Sequence, residues 1–225
     1  MYSSDALLKY ALCYSMMFIL TGISKQNKSN RLFDTKGIPA ANARKLIGLH
    51  VAGIIWLGLV PVTLFKQSFK AILSGSGSPN FSWLLLFVFL LAIIIRTGFR
   101  AGRQIHINHE NTNASSNKFL NYYFPVRILF LCTYELFFRG LLLFDCIKWF
   151  GILSAVILTT GLTVLIHVFT NKKEMWACIP FGILVCTCCI AIQAVWPAIV
   201  LHLALSMSYE IPPVNQFLTQ LKSIK

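Results

Sequence analysis

Acidic residues are scarce in this chain: seven Asp and Glu stand against twenty Lys and Arg. Charge of either sign is scarce too, at 12% of residues, about half the share of a soluble domain. With 56% apolar residues and a mean hydropathy of +0.69, the chain lacks the polar side chains that clothe a soluble globule. The expected fold class is therefore all-α: a polytopic transmembrane helix bundle forming one domain. Helices satisfy their own backbone groups in hydrocarbon, which open sheets do not.

A disulfide framework is also missing. The seven cysteines are an odd number with no loop pairs. All but Cys146 fall well inside apolar runs. Cys186-Thr-Cys188-Cys189 has the look of a metal cluster, but neighbouring helix positions point in different directions and no His lies within a turn. These read as small apolar core residues. His106 and His109 lie in a polar loop with no further ligand and read as surface histidines. His50 reads as a hydrogen-bonded core histidine. No metal and no cofactor are expected. The first residues form no basic leader, and no small-residue cleavage pattern follows the first apolar run, so that run is expected to be a retained helix.

The net charge of +13 does not imply nucleic acid. The Lys and Arg sit mostly between apolar runs, where the positive-inside rule accounts for them. Membrane lipids are the expected partners, with no nucleic acid among them. Seven spans are expected, at about 6–23, 46–65, 81–95, 123–144, 150–169, 175–192 and 196–208. The first, third and fifth connections and the tail carry most of the cations. That balance places the N-terminus outside and the C-terminus in the cytoplasm. Ser74 to Pro79 reads as a flexible turn, and 106–121 as a polar, mobile loop. In the tail, Val214, Phe217, Leu218, Leu221 and Ile224 share one face after Pro213, the spacing of a short helix lying on the cytoplasmic membrane surface. The chain divides at 1–122, 123–208 and 209–225.

Three polar constellations fall in the last four spans. Glu135 and Arg139 stand four apart in the run 123–144 and share a helical face. Thr163 and His167 lie in the fifth span. His202 and Ser206 lie in the seventh, again four apart. Charge in hydrocarbon is costly and usually faces the bundle interior. A structural ion pair between helices and a functional site both remain open on these residues alone. Each polar group needs a partner, and the economical solution is that they face one another.

The run Glu135-Leu-Phe-Phe-Arg-Gly-Leu-Leu-Leu143 resembles the first motif, Glu-Glu-x-x-x-Arg, of the CPBP family: the CAAX-processing and bacteriocin-processing intramembrane proteases. Tyr134 stands where that motif has its first Glu. Thr163-Val-Leu-Ile-His167 resembles the second motif, with Thr163 in place of Phe. His202-Leu-Ala-Leu-Ser206 resembles the third, with Ser206 in place of Asn or Asp. The resemblance covers about 123–208 and implies an endopeptidase acting on a peptide or protein in or near the membrane, with no metal, in a bacterial cytoplasmic membrane. It implies that His167 orients or deprotonates water, and that His202 and Ser206 donate to the oxyanion. Glu135 matches the arginine's partner, and Tyr134 takes the position of the catalytic carboxylate. A phenol is a poor base at neutral pH. Three outcomes stay open: Glu135 serves as base, His167 acts alone, or the chain is a catalytically impaired relative acting as a membrane binding or self-immunity protein. A proton-relaying transporter is disfavoured, because the spans show no repeated halves.

Overall fold

The structure is a computed structural model that describes residues 4–26, 32, 43–66, 80–105, 116–170 and 172–223. His106, His109 and the turn at 74–79 lie outside the described residues. Among the described residues every regular element is helical, and seven continuous helices follow one another. α1 is Ser4–Gln26. α2 runs as Ala43–Ile54, a π-helical turn Ile55–Leu59, and Val60–Leu64. α3 is Phe81–Arg103. α4 runs as Ser116–Glu135, a second π-helical turn Leu136–Leu142, and Leu143–Phe150. α5 is Ile152–His167, α6 is Lys172–Ile192 and α7 is Trp196–Ser223.

Local chemistry sets the breaks. Asn80 caps α3 by accepting from the Ser82 amide. Gly151 separates α4 from α5 at φ 81°, a left-handed conformation that glycine adopts without a Cβ clash. Four segments, Ser4–Gln26, Arg44–Leu64, Phe81–Arg103 and Lys172–Ile192, are long and apolar enough to cross a membrane. Ile152–His167 is a shorter apolar helix. Leu85, Phe89, Leu153, Ile157 and Trp176 point outward and exposed. An outer surface of this kind suits lipid, and the chain is an integral membrane protein.

The contacts give an alternating up-and-down bundle. On the α1–α5 seam, the Tyr14 hydroxyl donates to the Leu162 carbonyl, and Lys25 lies beside the Val168 carbonyl, so these helices run parallel. α2 and α4 run parallel by the pairs His50 with Tyr123, Gly53 with Phe130 and Gly58 with Thr133. α3 and α7 run parallel from the Phe87–Trp196 ring contact to the approach of Gly98 and Gly102 to Ser208 and Tyr209. A Cβ on Gly98 would lie 1.9 Å from Ser208 Oγ, and one on Gly102 would lie 2.3 Å from the Tyr209 carbonyl oxygen. Small residues four apart thus bring two helix backbones together.

The tail departs from the sequence reading. The seventh span was expected to end at Ser208, with a separate surface helix after Pro213. α7 instead continues for 28 residues through Pro212 and Pro213. Val214 and Phe217 are buried in a second apolar cluster with Leu32, Leu46, Leu120 and Tyr123. A proline inside a helix leaves the carbonyl four residues back without its amide. For Pro213 that carbonyl belongs to Tyr209, the one lying against Gly102 of α3. Packing on α3 and on this cluster offsets the lost hydrogen bonds.

Candidate active site

A cavity of about 440 Å³ opens at one end of the bundle. Its walls come from late residues of α1, α3 and α5 (Thr21, Ala101, Thr170) and early residues of α2, α4 and α6 (His50, Arg127, Glu174). The alternating helix directions bring these ends together. Tyr134, Glu135, Arg139, Thr163, His167, His202 and Ser206 all line it.

Glu135 sits at its centre. It is fully buried, and it begins the π turn of α4. π turns are frequent at functional sites. One carboxylate oxygen, Oε1, accepts from His202 Nδ1 at 2.5 Å. The other, Oε2, stands 3.4 Å from Arg139 Nη1. That second contact is an ion pair without hydrogen-bond alignment, since Oε2 and Arg139 Nε have no hydrogen-bond partner. At 3.4 Å the attraction is about 5 kcal/mol at an effective dielectric of about 20. It offsets a desolvation cost of several kcal/mol per buried ion. Gly182 of α6 lets that helix pass close to the guanidinium: a Cβ there would lie 3.4 Å from Arg139 Nη2.

His202 is fixed on three sides. Its Nδ1 is held by Glu135, while the Tyr134 and Phe181 rings meet it edge-on at centroid distances of 5.7 and 5.6 Å. Tyr134 packs its ring against Phe138 at 4.6 Å, and its buried hydroxyl has no hydrogen-bond partner. His167, at the C-terminal end of α5, donates from Nδ1 to the Thr163 carbonyl at 2.9 Å. That bond fixes the tautomer and leaves Nε2 with a lone pair and no protein partner among the described residues. Thr163 thus serves through its backbone, while its own hydroxyl donates to the Thr160 carbonyl at 2.8 Å. This explains how Thr can replace Phe at that place.

Ser206 lines the same cavity but faces a second polar cluster. Its hydroxyl donates to Glu210 Oε1 at 3.1 Å and accepts from Arg127 Nη2 at 3.3 Å. Arg127 Nε lies 3.3 Å from Glu210 Oε1, and Arg127 Nη1 donates to His50 Nε2 at 3.2 Å. The Tyr123 hydroxyl donates to Glu210 Oε2 at 3.0 Å. His50 is thus a hydrogen-bonded core histidine, stacked on Phe130 at 4.9 Å. Sequence reasoning passed over Arg127 and Glu210. The signal was present: His202, Ser206 and Glu210 recur every four residues on one face, and Arg127 lies in the same span as Glu135.

Elsewhere, the Tyr10 hydroxyl donates to the buried Asp145 at 2.8 Å, and Lys148 pairs with the same carboxylate at 3.0 Å. The seven cysteines are free. No group of three or more His, Cys, Asp or Glu able to hold a metal occurs among the described residues.

No curated protein and no solved structure matches the chain. Residues 118–208 match a family described as Rce1-like, type II CAAX prenyl endopeptidase. The match spans α4 to the middle of α7, the helices that carry Glu135, Arg139, His167 and His202. Residues 118–208 are an Rce1-like domain of the type II CAAX prenyl endopeptidases, in keeping with the CPBP intramembrane proteases that the three motifs resemble.

Proposed function

We propose that the chain is an intramembrane endopeptidase that hydrolyses a peptide bond of a membrane-proximal substrate through a side-chain-activated water. The observation that carries this is the convergence of Glu135, His167 and His202, from three helices, on one cavity. His167 Nε2 takes a proton from water, whose oxygen adds to the scissile carbonyl. His202 keeps Nδ1–H on Glu135 and, as imidazolium, donates from Nε2 to the oxyanion, with Glu135 balancing its charge. The carbon–nitrogen bond then breaks, and His167 returns its proton to the leaving amine. Arg139 holds Glu135 in place. The cavity opens at the end where the Lys- and Arg-rich connections meet. The positive-inside rule puts that end in the cytoplasm of a bacterial inner membrane, with the N-terminus outside.

The test is cleavage of prenylated peptides by purified protein in liposomes, read by mass spectrometry in water enriched in oxygen-18. One labelled oxygen should enter the new carboxylate. His167→Ala and His202→Ala should each lower the rate about 10²–10⁴-fold. Unchanged cleavage in both variants would overturn the reading. Tyr134 favours a second reading, a catalytically impaired relative that binds a partner. Its ring packs against His202 at the place where the family motif has a carboxylate, and Glu135 is engaged with Arg139. Under that reading, protection or capture of the partner survives removal of both histidines.

A further inference from the structure

Ser206 stands where the third motif has an amide side chain, and a serine hydroxyl is shorter than that amide. Arg127 fills the difference. Its Nη2 reaches the Ser206 oxygen at 3.3 Å, so a guanidinium from α4 stands against the side chain that replaces the amide on α7. Three neighbours hold it: Glu210 by charge, Ser206 and His50 by hydrogen bonds. The Phe130 ring lies 5.9 Å from the guanidinium carbon. A guanidinium has five N–H donors. Two are spent on Ser206 and His50, and the Nε donor has no hydrogen bond despite its charge contact with Glu210. The Arg127 side chain is 22% exposed and borders the cavity shared by His167 and His202. Arg127 is also among the charged groups that act on His167, together with His202 and Arg139. A cation with donors to spare, clamped from behind and facing a cavity beside a base, is suited to an anionic oxygen.

We propose that Arg127 is the anion-binding group of the cavity, donating to the oxyanion of the tetrahedral intermediate in place of the third-motif amide, with Glu210, Ser206 and His50 as its positioning residues. The identity of the anion rests on the hydrolase reading; the anion site itself does not. Here Ser206 presents a charged donor from another helix rather than donating to the substrate. The arrangement moves the donor from α7 to α4, so the oxyanion would be bound between the two helices that Glu135 and His202 already tie together.

The experiment compares two ligands by calorimetry in detergent: a cleavable-sequence peptide and the same peptide with a phosphinate in place of the scissile amide. The phosphinate is a permanent tetrahedral anion and needs no turnover to be bound. Wild-type protein should prefer it by about a hundredfold, the low end for transition-state analogues. Arg127→Gln paired with Glu210→Gln removes the cation without leaving a buried carboxylate alone. This variant should bind the amide peptide within about threefold of wild type and lose the phosphinate preference, while kcat falls about 10²–10³-fold at similar KM. Adding Ser206→Asn should restore at least about tenfold of the preference, because an amide then stands at the motif position. His167→Ala should keep the preference and lose turnover. A preference unchanged in the Arg127 variant, one lost together with peptide binding, or one not restored by Ser206→Asn would overturn the assignment. A preference that depends on Arg127 in a protein without turnover would sink the hydrolase reading and leave the anion site standing.

Discussion

Replacing Glu135 by Gln tests how the centre of the site is held together. The glutamine oxygen can still accept from His202 Nδ1, so the link to α7 survives in shape. What is lost is the charge opposite Arg139, whose side chain is 3% exposed. Glu135 is its ion-pair partner, at 3.4 Å. Removing one side of a buried pair costs about 3–5 kcal/mol, mostly from the charge left alone. For a chain of this size that corresponds to a fall of about 6–20 °C in Tm. The double variant Glu135→Gln with Arg139→Met puts an apolar side chain of similar length where the guanidinium was, and should recover more than half of the loss. Thermal unfolding of the purified variants in one detergent gives all three values. Cleavage measured alongside should stay low in the double variant, since His202 has lost its counter-charge. A Glu135→Gln protein within about 1 kcal/mol of wild type would refute the reasoning, because Arg139 would then be compensated by something other than Glu135.

Tyr134→Phe removes a hydroxyl without a partner and keeps the ring against His202. Stability should be unchanged or slightly raised, and kcat should stay within about threefold; a large loss of kcat would make the phenol part of the chemistry. Thr163→Val deletes the bond to the Thr160 carbonyl at a cost of about 1 kcal/mol and leaves the carbonyl that holds His167, so kcat at pH 7 should follow wild type. Gly102→Ala should cost about 1–3 kcal/mol by pushing α3 off the Tyr209 carbonyl, measured as a drop in Tm, whereas Gly161→Ala, with open space at its Cβ, should not.

The sequence made the helices and the site centre legible for one reason. Polar residues are so few in these spans that each one must be placed. Glu135, Arg139, His167 and His202 stood out against Leu, Ile and Phe, and their spacing put them on single faces. Arg127 escaped notice because attention fell on the acid–base pair eight to twelve residues further along the same run. Glu210 lay beyond the expected end of its span, since two consecutive prolines read as a terminator. Helix continuation there depends on contacts with α3 and with Leu120 and Tyr123, which are distant in sequence. The partners of Ser206 escaped for the same reason. The π turns leave no local signature, because they express how two halves of a helix are aimed by their neighbours.

The π turn in α4 makes residue count a variable in its own right. Each residue of an α-helix rotates the chain by about 100°. Upstream of Leu136, the helix aims Arg127 and Glu135 at α7; downstream, it aims Asp145 at Tyr10 of α1. The wider turn sets the angle between those two aims. Deleting any one residue from Leu136–Leu142 would let the segment relax to regular α-helix, whichever side chain was lost. One half would then swing by about 100° against the other. Either the Tyr10–Asp145 bond or both polar clusters would come apart, at sites about 15 Å apart by helical rise. The spacing within this stretch therefore carries information that its apolar side chains do not. A single-residue deletion there should be more damaging than most substitutions of the same residues.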